Sequence, residues 1–425
     1  MSTARSVEGV FAVHKPGGIS SAEVLRNLQT YFNPSKFFQP WIDAERAHRK
    51  EQNKYARGKN RRREKRIEVK IGHGGTLDPI ATGVLIAGVG KGTKDLHGFL
   101  GCTKTYEAVV LFGAETDTYD RVGKIVNRAP YEHVTRELVE TTLEKFRGKI
   151  LQKPSIFSAL KVDGKKMYEY AREGKVPPVE IVARPVEVFN LEILEWYEPG
   201  SHEYVWPTEE AGNEEKVVAK TLIDNDARGI TEGAAKVAEM TEGSQKEGEE
   251  DQSRKRKTPP TEEDSESKPP TTTAADAEAE AEADQEPSSP PPTKRIKTDE
   301  TTTTTAAATP EAILATISTP TEASPPSPSP KPPSPPAVKI TMTVSSGFYV
   351  RSLAHDLGLA VHSNAIMSTL VRTRQADFDL TPERILEYKD LEAGEEVWAP
   401  KVQGFFDEWA AKKEREKEEK KKGGE

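Results

Sequence analysis

From Pro207 to Pro336 the chain abandons the patterns that build a core. Acidic Ala-Glu repeats, five threonines from Thr301 and Pro-Ser clusters from Pro325 offer too little apolar surface to offset the entropy of ordering. A fold must therefore be closed by residues on both sides of this stretch. The expected organisation is a first part over 1–206, a disordered acidic and Pro-Ser-Thr-rich insertion over 207–337, a second part of the same domain over 338–410, and a charged tail over 411–425.

The insertion also distorts the charge balance. Between Glu209 and Glu300 stand 25 acidic against 13 basic residues, a local net of −12, so the remainder carries +4 although the whole chain is at −8. The positive charge is clustered: Glu45 to Lys70 holds 12 Lys and Arg against 4 Asp and Glu. That asymmetry points to a polyanionic partner. The surrounding 43–67 reads as a basic insertion, disordered or partly helical. Two further clusters, Arg254-Lys255-Arg256-Lys257 and Lys294-Arg295-Ile296-Lys297, look like addresses for a nuclear import receptor. The expected compartment is the nucleus, with mitochondrial and cytoplasmic pools left open. One cysteine, Cys102, excludes a disulfide framework. No apolar run reaches the roughly 20 residues that span a bilayer, and no secretory signal precedes the first strand. The expectation is a soluble intracellular protein, monomeric, with no membrane partner.

Val10 to His14 reads as a buried strand ended by Lys15-Pro16-Gly17-Gly18. Ser20 or Ser21 can cap a helix whose apolar positions Val24, Leu25 and Leu28 repeat at three and four residues. Pro34 and Pro40 break the aromatic stretch that follows. Lys104 to Gly113 is a strand, and Val122 to Val126 can pair back as another. Leu138, Leu143 and Phe146 mark a helix, Asp163-Gly164 a hairpin turn, and Met167 to Ala171 a further helix. Val186 to Trp196 and Val338 to Val344 alternate as strands, and a helix carries Leu353, Leu357 and Leu359. Gly88 to Thr93 fails as a phosphate-binding loop, because Leu85 stands where a glycine is required. Strands outnumber helices without regular crossovers, so the class is α+β with a mixed, largely antiparallel central sheet flanked by helices.

The stretch Gly72-His73-Gly74-Gly75-Thr76-Leu77-Asp78-Pro79 asks for more than structure. Gly74 and Gly75 permit a tight backbone path before a single carboxylate. On turn chemistry alone Asp78 is an N-cap, Pro79 the first helical residue, and Ile80, Val84 and Leu85 the start of an apolar face. That leaves His73 and a distant Arg-Tyr pair unexplained.

The same stretch resembles the catalytic motif of the TruB-type pseudouridine synthases, and other blocks follow in the family's order over about 10–200 and 338–380. They are Lys15-Pro16-Gly17-Gly18, Lys104-Thr105-Tyr106 with Phe112-Gly113, Ser158-Ala159-Leu160-Lys161 with Tyr168, Gly347-Phe348-Tyr349-Val350-Arg351, and Leu370-Val371-Arg372. Within the family, 101–106 and 111–117 are most similar to fungal stand-alone enzymes acting on the T-loop uridine at tRNA position 55.

The resemblance implies a pseudouridine-synthase fold and a catalytic Asp78 paired with Arg351. It implies that Tyr106 stacks on an everted uracil and helps remove the C5 proton. Tyr349 and Leu370 would line the pocket, and His73 would contact the loop the base leaves. Lys15, Pro16, Gly74 and Gly75 are structural supports. The chemistry needs no cofactor and no metal, and the implied partner is the tRNA T-arm, with other structured RNA left open. The small C-terminal RNA-binding domain of bacterial relatives is expected to be absent, which argues against the alternative of a guide-RNA-dependent, dyskerin-like synthase. A non-catalytic tRNA-binding or tRNA-folding protein is the other alternative.

Overall fold

In a computed structural model of the chain, the described residues are 7–55, 66–154, 161–172, 182–213 with 216, and 334–422. They contain a ten-stranded sheet whose main path runs β14-β1-β3-β12-β4-β11-β10-β7, with β2 beside β3 and β13 beside β12. The strands are β1 Gly9–Lys15, β2 Ile71–His73, β3 Thr82–Val89, β4 Lys104–Phe112, β7 Gly148–Gln152, β10 Arg184–Tyr197, β11 Ala337–Val344, β12 Ala365–Gln375, β13 Phe378–Asp379 and β14 Ile385–Leu386. Two pairings are parallel, β1 with β14 and β3 with β12; the other pairings in this sheet are antiparallel. The mixed, largely antiparallel sheet expected from the sequence is what forms.

Strands from beyond the insertion are interleaved with those before it: β12 lies between β3 and β4, and β11 between β4 and β10. Without them β3 and β4 would expose unpaired ladders, so residues 1–206 cannot complete the sheet alone. The helix joining β11 to β12, Val350–Ala360, packs Leu353, Ala354 and Leu357 against Val110, Phe112, Val338 and Ile340. β11 alternates between buried and half-buried side chains, as a strand covered mainly on one face should. β3 does not alternate. Val84 and Ile86 face a cluster with Leu96, Phe99 and Trp409, whereas Leu85, Ala87 and Val89 face one with Leu28, Phe32, Val402 and Phe406.

That two-sided burial explains a correction. Residues 82–89, expected to continue a helix begun at Pro79, form β3 instead. A continuous apolar run fits a strand buried on both faces as well as it fits a helix.

Other expectations are refined. Ser20 is the N-cap of helix α1, Ser21–Phe32, its hydroxyl accepting from the Glu23 amide. Pro40 sits in the first turn of helix α2, Gln39–Tyr55, rather than breaking it; residues 56–65 of the basic stretch lie outside the described residues. β6, Ile125–Arg128, pairs with β5, Ala114–Thr116, and not with β4. The insertion's margins belong to the fold: Ala211 bonds back to Ile125, Pro336 accepts from Phe112, and Ala337 begins β11. Residues 217–333 lie outside the described residues. The charged tail continues helix Glu395–Lys422, anchored by Trp398, Val402, Phe406 and Trp409. No described helix is long and apolar enough to cross a membrane.

Candidate active site

The interleaving brings two distant segments together. Asp78 ends the loop that enters β3, and Arg351 occupies the first turn of the helix between β11 and β12. The Arg351 Nε lies 2.9 Å from Asp78 Oδ2 and its Nη2 donates to Oδ1 at 3.2 Å, a bidentate pairing. The arginine side chain is 10% exposed and the aspartate 32%, so the guanidinium holds the carboxylate from the protein side. On its other flank Arg351 Nη1 donates to the Thr118 carbonyl at 3.2 Å and lies 3.6 Å from Asp120 Oδ2. Burial pushes the Asp120 carboxyl up, against the pull of Arg351.

No helix positions Asp78. Its loop is held by side chains that reach the backbone carbonyls in turn. Gln375 donates to Gly74 at 2.5 Å, Arg372 to Gly75 at 3.2 Å, Ser21 to Leu77 at 3.1 Å, and Lys15 to Pro79 at 3.0 Å and Ala81 at 2.6 Å. Lys15 also donates to Pro16, and the Gly18 amide to Pro79. Burial pushes the Lys15 ammonium down to about 8, partly countered by Asp78. The Lys15 ammonium thus ties Pro16, Pro79 and Ala81 together, and the Gln375 amide holds Gly74. Gly75 has a φ of +124°, a backbone region that side chains rarely adopt.

Tyr106, Leu370, Leu77 and Ile80 belong to one buried cluster beside this loop. Burial pushes the Tyr106 hydroxyl up, while Arg372 within hydrogen-bonding reach pulls it down. His73 stands in β2, paired with Ala87; its Nδ1 is buried with no hydrogen-bond partner among the described residues, and burial lowers its basicity. Tyr349 is two residues from Arg351, with its amide and carbonyl both pinned by the Gln152 side chain at 2.8 and 2.9 Å. Ser158, Ala159 and Leu160 lie outside the described residues.

Arg372 and Gln375 had no assigned role in the sequence. Strand periodicity was the available signal: in β12, Leu370 and Arg372 alternate with half-exposed residues and so share an inward face. Ser21, Asp120 and Gln152 carry no comparable local mark, because each acts across long sequence separations.

Residues 61–209 match the family described as TruB family pseudouridylate synthase, N-terminal domain. The chain is 36% identical over 403 residues to "tRNA pseudouridine synthase 4" of Schizosaccharomyces pombe, covering 94% of this chain and 85% of that one. It belongs to the TruB family of pseudouridine synthases. The Saccharomyces cerevisiae protein of the same description is 31% identical, over 95% of this chain and 86% of that one. "tRNA pseudouridine synthase B" of Phocaeicola vulgatus is 47% identical over a shorter stretch, 30% of this chain and 54% of that one. The interleaved sheet is thus a pseudouridine-synthase fold, and of the motif residues quoted above Lys15, Tyr106, Arg351, Leu370 and Arg372 lie at or beside the Asp78 loop.

Proposed function

We propose that this chain is a tRNA pseudouridine synthase that isomerises the T-loop uridine at position 55, with Asp78 as its catalytic carboxylate. One observation carries the reading: Asp78, half open to solvent, is gripped by a buried Arg351 beside the apolar cluster of Tyr106 and Leu370. The descriptions of the two fungal relatives support tRNA as the substrate class.

The reaction breaks the N1–C1′ bond, turns the base and forms a C5–C1′ bond. C5 loses a proton and N1 gains one, so no atom is added or lost. A carboxylate is a competent nucleophile for this, at the ribose or at the uracil ring. The target must first leave its stack, at a cost of a few kcal/mol, and the Tyr106 ring offers a replacement stacking surface. In this reading Tyr106 both stacks on the uracil and helps remove the C5 proton, its hydroxyl pushed up by burial. Tyr349 and Leu370 line the pocket of the everted uracil, and His73 contacts the loop that the base leaves. The two basic clusters of the insertion direct nuclear import, which neutralising them in a tagged chain would abolish.

The test is the full-length chain with an unmodified tRNA transcript and no guide RNA, followed by pseudouridine mapping. A single product at the T-loop uridine is expected. Product elsewhere, or only when a guide RNA is supplied, overturns the proposal, as does binding without any product.

A further inference from the structure

The helix that presents Arg351 presents His355 one turn later on the same face. His355 is buried, 3% exposed, and its Nδ1 lies 3.1 Å from Oε1 of Glu115, which is 5% exposed. The imidazole stacks on the Tyr119 ring, with centroids 4.1 Å apart and planes 12° from parallel. Glu115 belongs to β5, and Tyr119 to the loop from β5 to β6.

Their connection to the site runs through Tyr119. This residue has φ +62°, a left-handed conformation that a bulky side chain rarely adopts and that persists only where its surroundings impose it. Its carbonyl accepts from the Met367 amide at 2.9 Å, and its own amide donates to Thr116 at 3.2 Å. Its two sequence neighbours are the groups that flank the arginine: the Thr118 carbonyl and the Asp120 carboxylate. The Tyr119 ring packs with Val126 in a small cluster apart from the main cores.

We propose that Glu115, His355 and Tyr119 form a positioning unit for Arg351. The Glu115–His355 pair fixes the imidazole plane, the stacked ring fixes the turn at Tyr119, and the turn aims Thr118 and Asp120 at the guanidinium. Arg351 is thereby supported from two directions by one helix face: directly along its own stem, and through the loop that His355 locks. This extends the function proposed above, on which its kinetic reading rests.

The test uses the full-length chain, with single-turnover pseudouridine formation on tRNA, tRNA affinity and the 15N signal of the Arg351 side-chain Nε–H, assigned by its loss in Arg351→Lys. Tyr119→Ala and His355→Ala are expected to slow the chemical step roughly 10- to 100-fold with affinity within about twofold. Tyr119→Phe, which keeps the stacked ring, recovers most of the rate. Asp120→Asn combined with Tyr119→Ala is expected to be no slower than the worse single variant, since both act through one contact. Multiplying effects, or an unchanged rate in Tyr119→Ala, overturn the proposal. Hydrogen exchange at the Arg351 Nε–H decides the matter independently of turnover: faster exchange in Tyr119→Ala is expected, and unchanged exchange refutes the unit even if the wild-type chain makes no pseudouridine.

Discussion

Arg351 meets Asp78 with two nitrogens on two oxygens, 2.9 Å from Nε and 3.2 Å from Nη2. A lysine has a single ammonium and cannot reproduce that fork. Arg351→Lys should therefore keep charge but lose aim. The single-turnover rate is expected to fall roughly 100-fold with tRNA affinity little changed; a rate within about threefold of wild type, on this scale, would mean that charge alone suffices.

Lys15 is the buried cation that ties Pro16, Pro79 and Ala81 into one turn. Its pKa falls from 10.5 to about 8 on folding. Between those values the unfolded chain binds more protons than the folded one, so this group's contribution makes stability rise with pH across that window. Relative to Lys15→Met, the wild type should gain up to about 3 kcal/mol between pH 8 and 10.5. Parallel denaturation series of the two chains measure it, and a flat difference contradicts the burial of the ammonium.

Gly83 is where β3 crosses close to β12. It has φ +105°, and a Cβ there would sit 2.3 Å from the Arg372 carbonyl oxygen. Gly83→Ala is expected to cost about 3 kcal/mol or more. Gly98, in helix Leu96–Leu100, has nothing within 4 Å of a built Cβ, so Gly98→Ala should be neutral or slightly stabilising. Thermal unfolding of the two variants compares them directly.

Much of this architecture was legible in the sequence, for reasons that differ by element. The Ser20 cap, the alternating β11 and the Asp163-Gly164 turn follow from local chemistry, and they stand where expected. β3 was not legible, because burial on both faces erases the alternation that distinguishes a strand. Asp78 and Arg351 were paired through family motifs, not spacing: 273 residues separate them, and only the interleaving of β11 and β12 makes them neighbours. The carbonyl-holding side chains Arg372 and Gln375 went unassigned for a related reason. Their task is defined by a loop some 300 positions earlier in the chain, and no periodicity encodes which carbonyls that loop leaves unpaired.

The most direct measurement is Asp78→Asn, an isosteric change that keeps the loop's backbone bonds and removes the anionic oxygen. The purified variant, given T-arm RNA without a guide, should form no detectable pseudouridine while binding the RNA about as tightly as the wild type. Turnover at a substantial fraction of the wild-type rate would contradict a catalytic role for this carboxylate, and the function proposed for the site would fall with it.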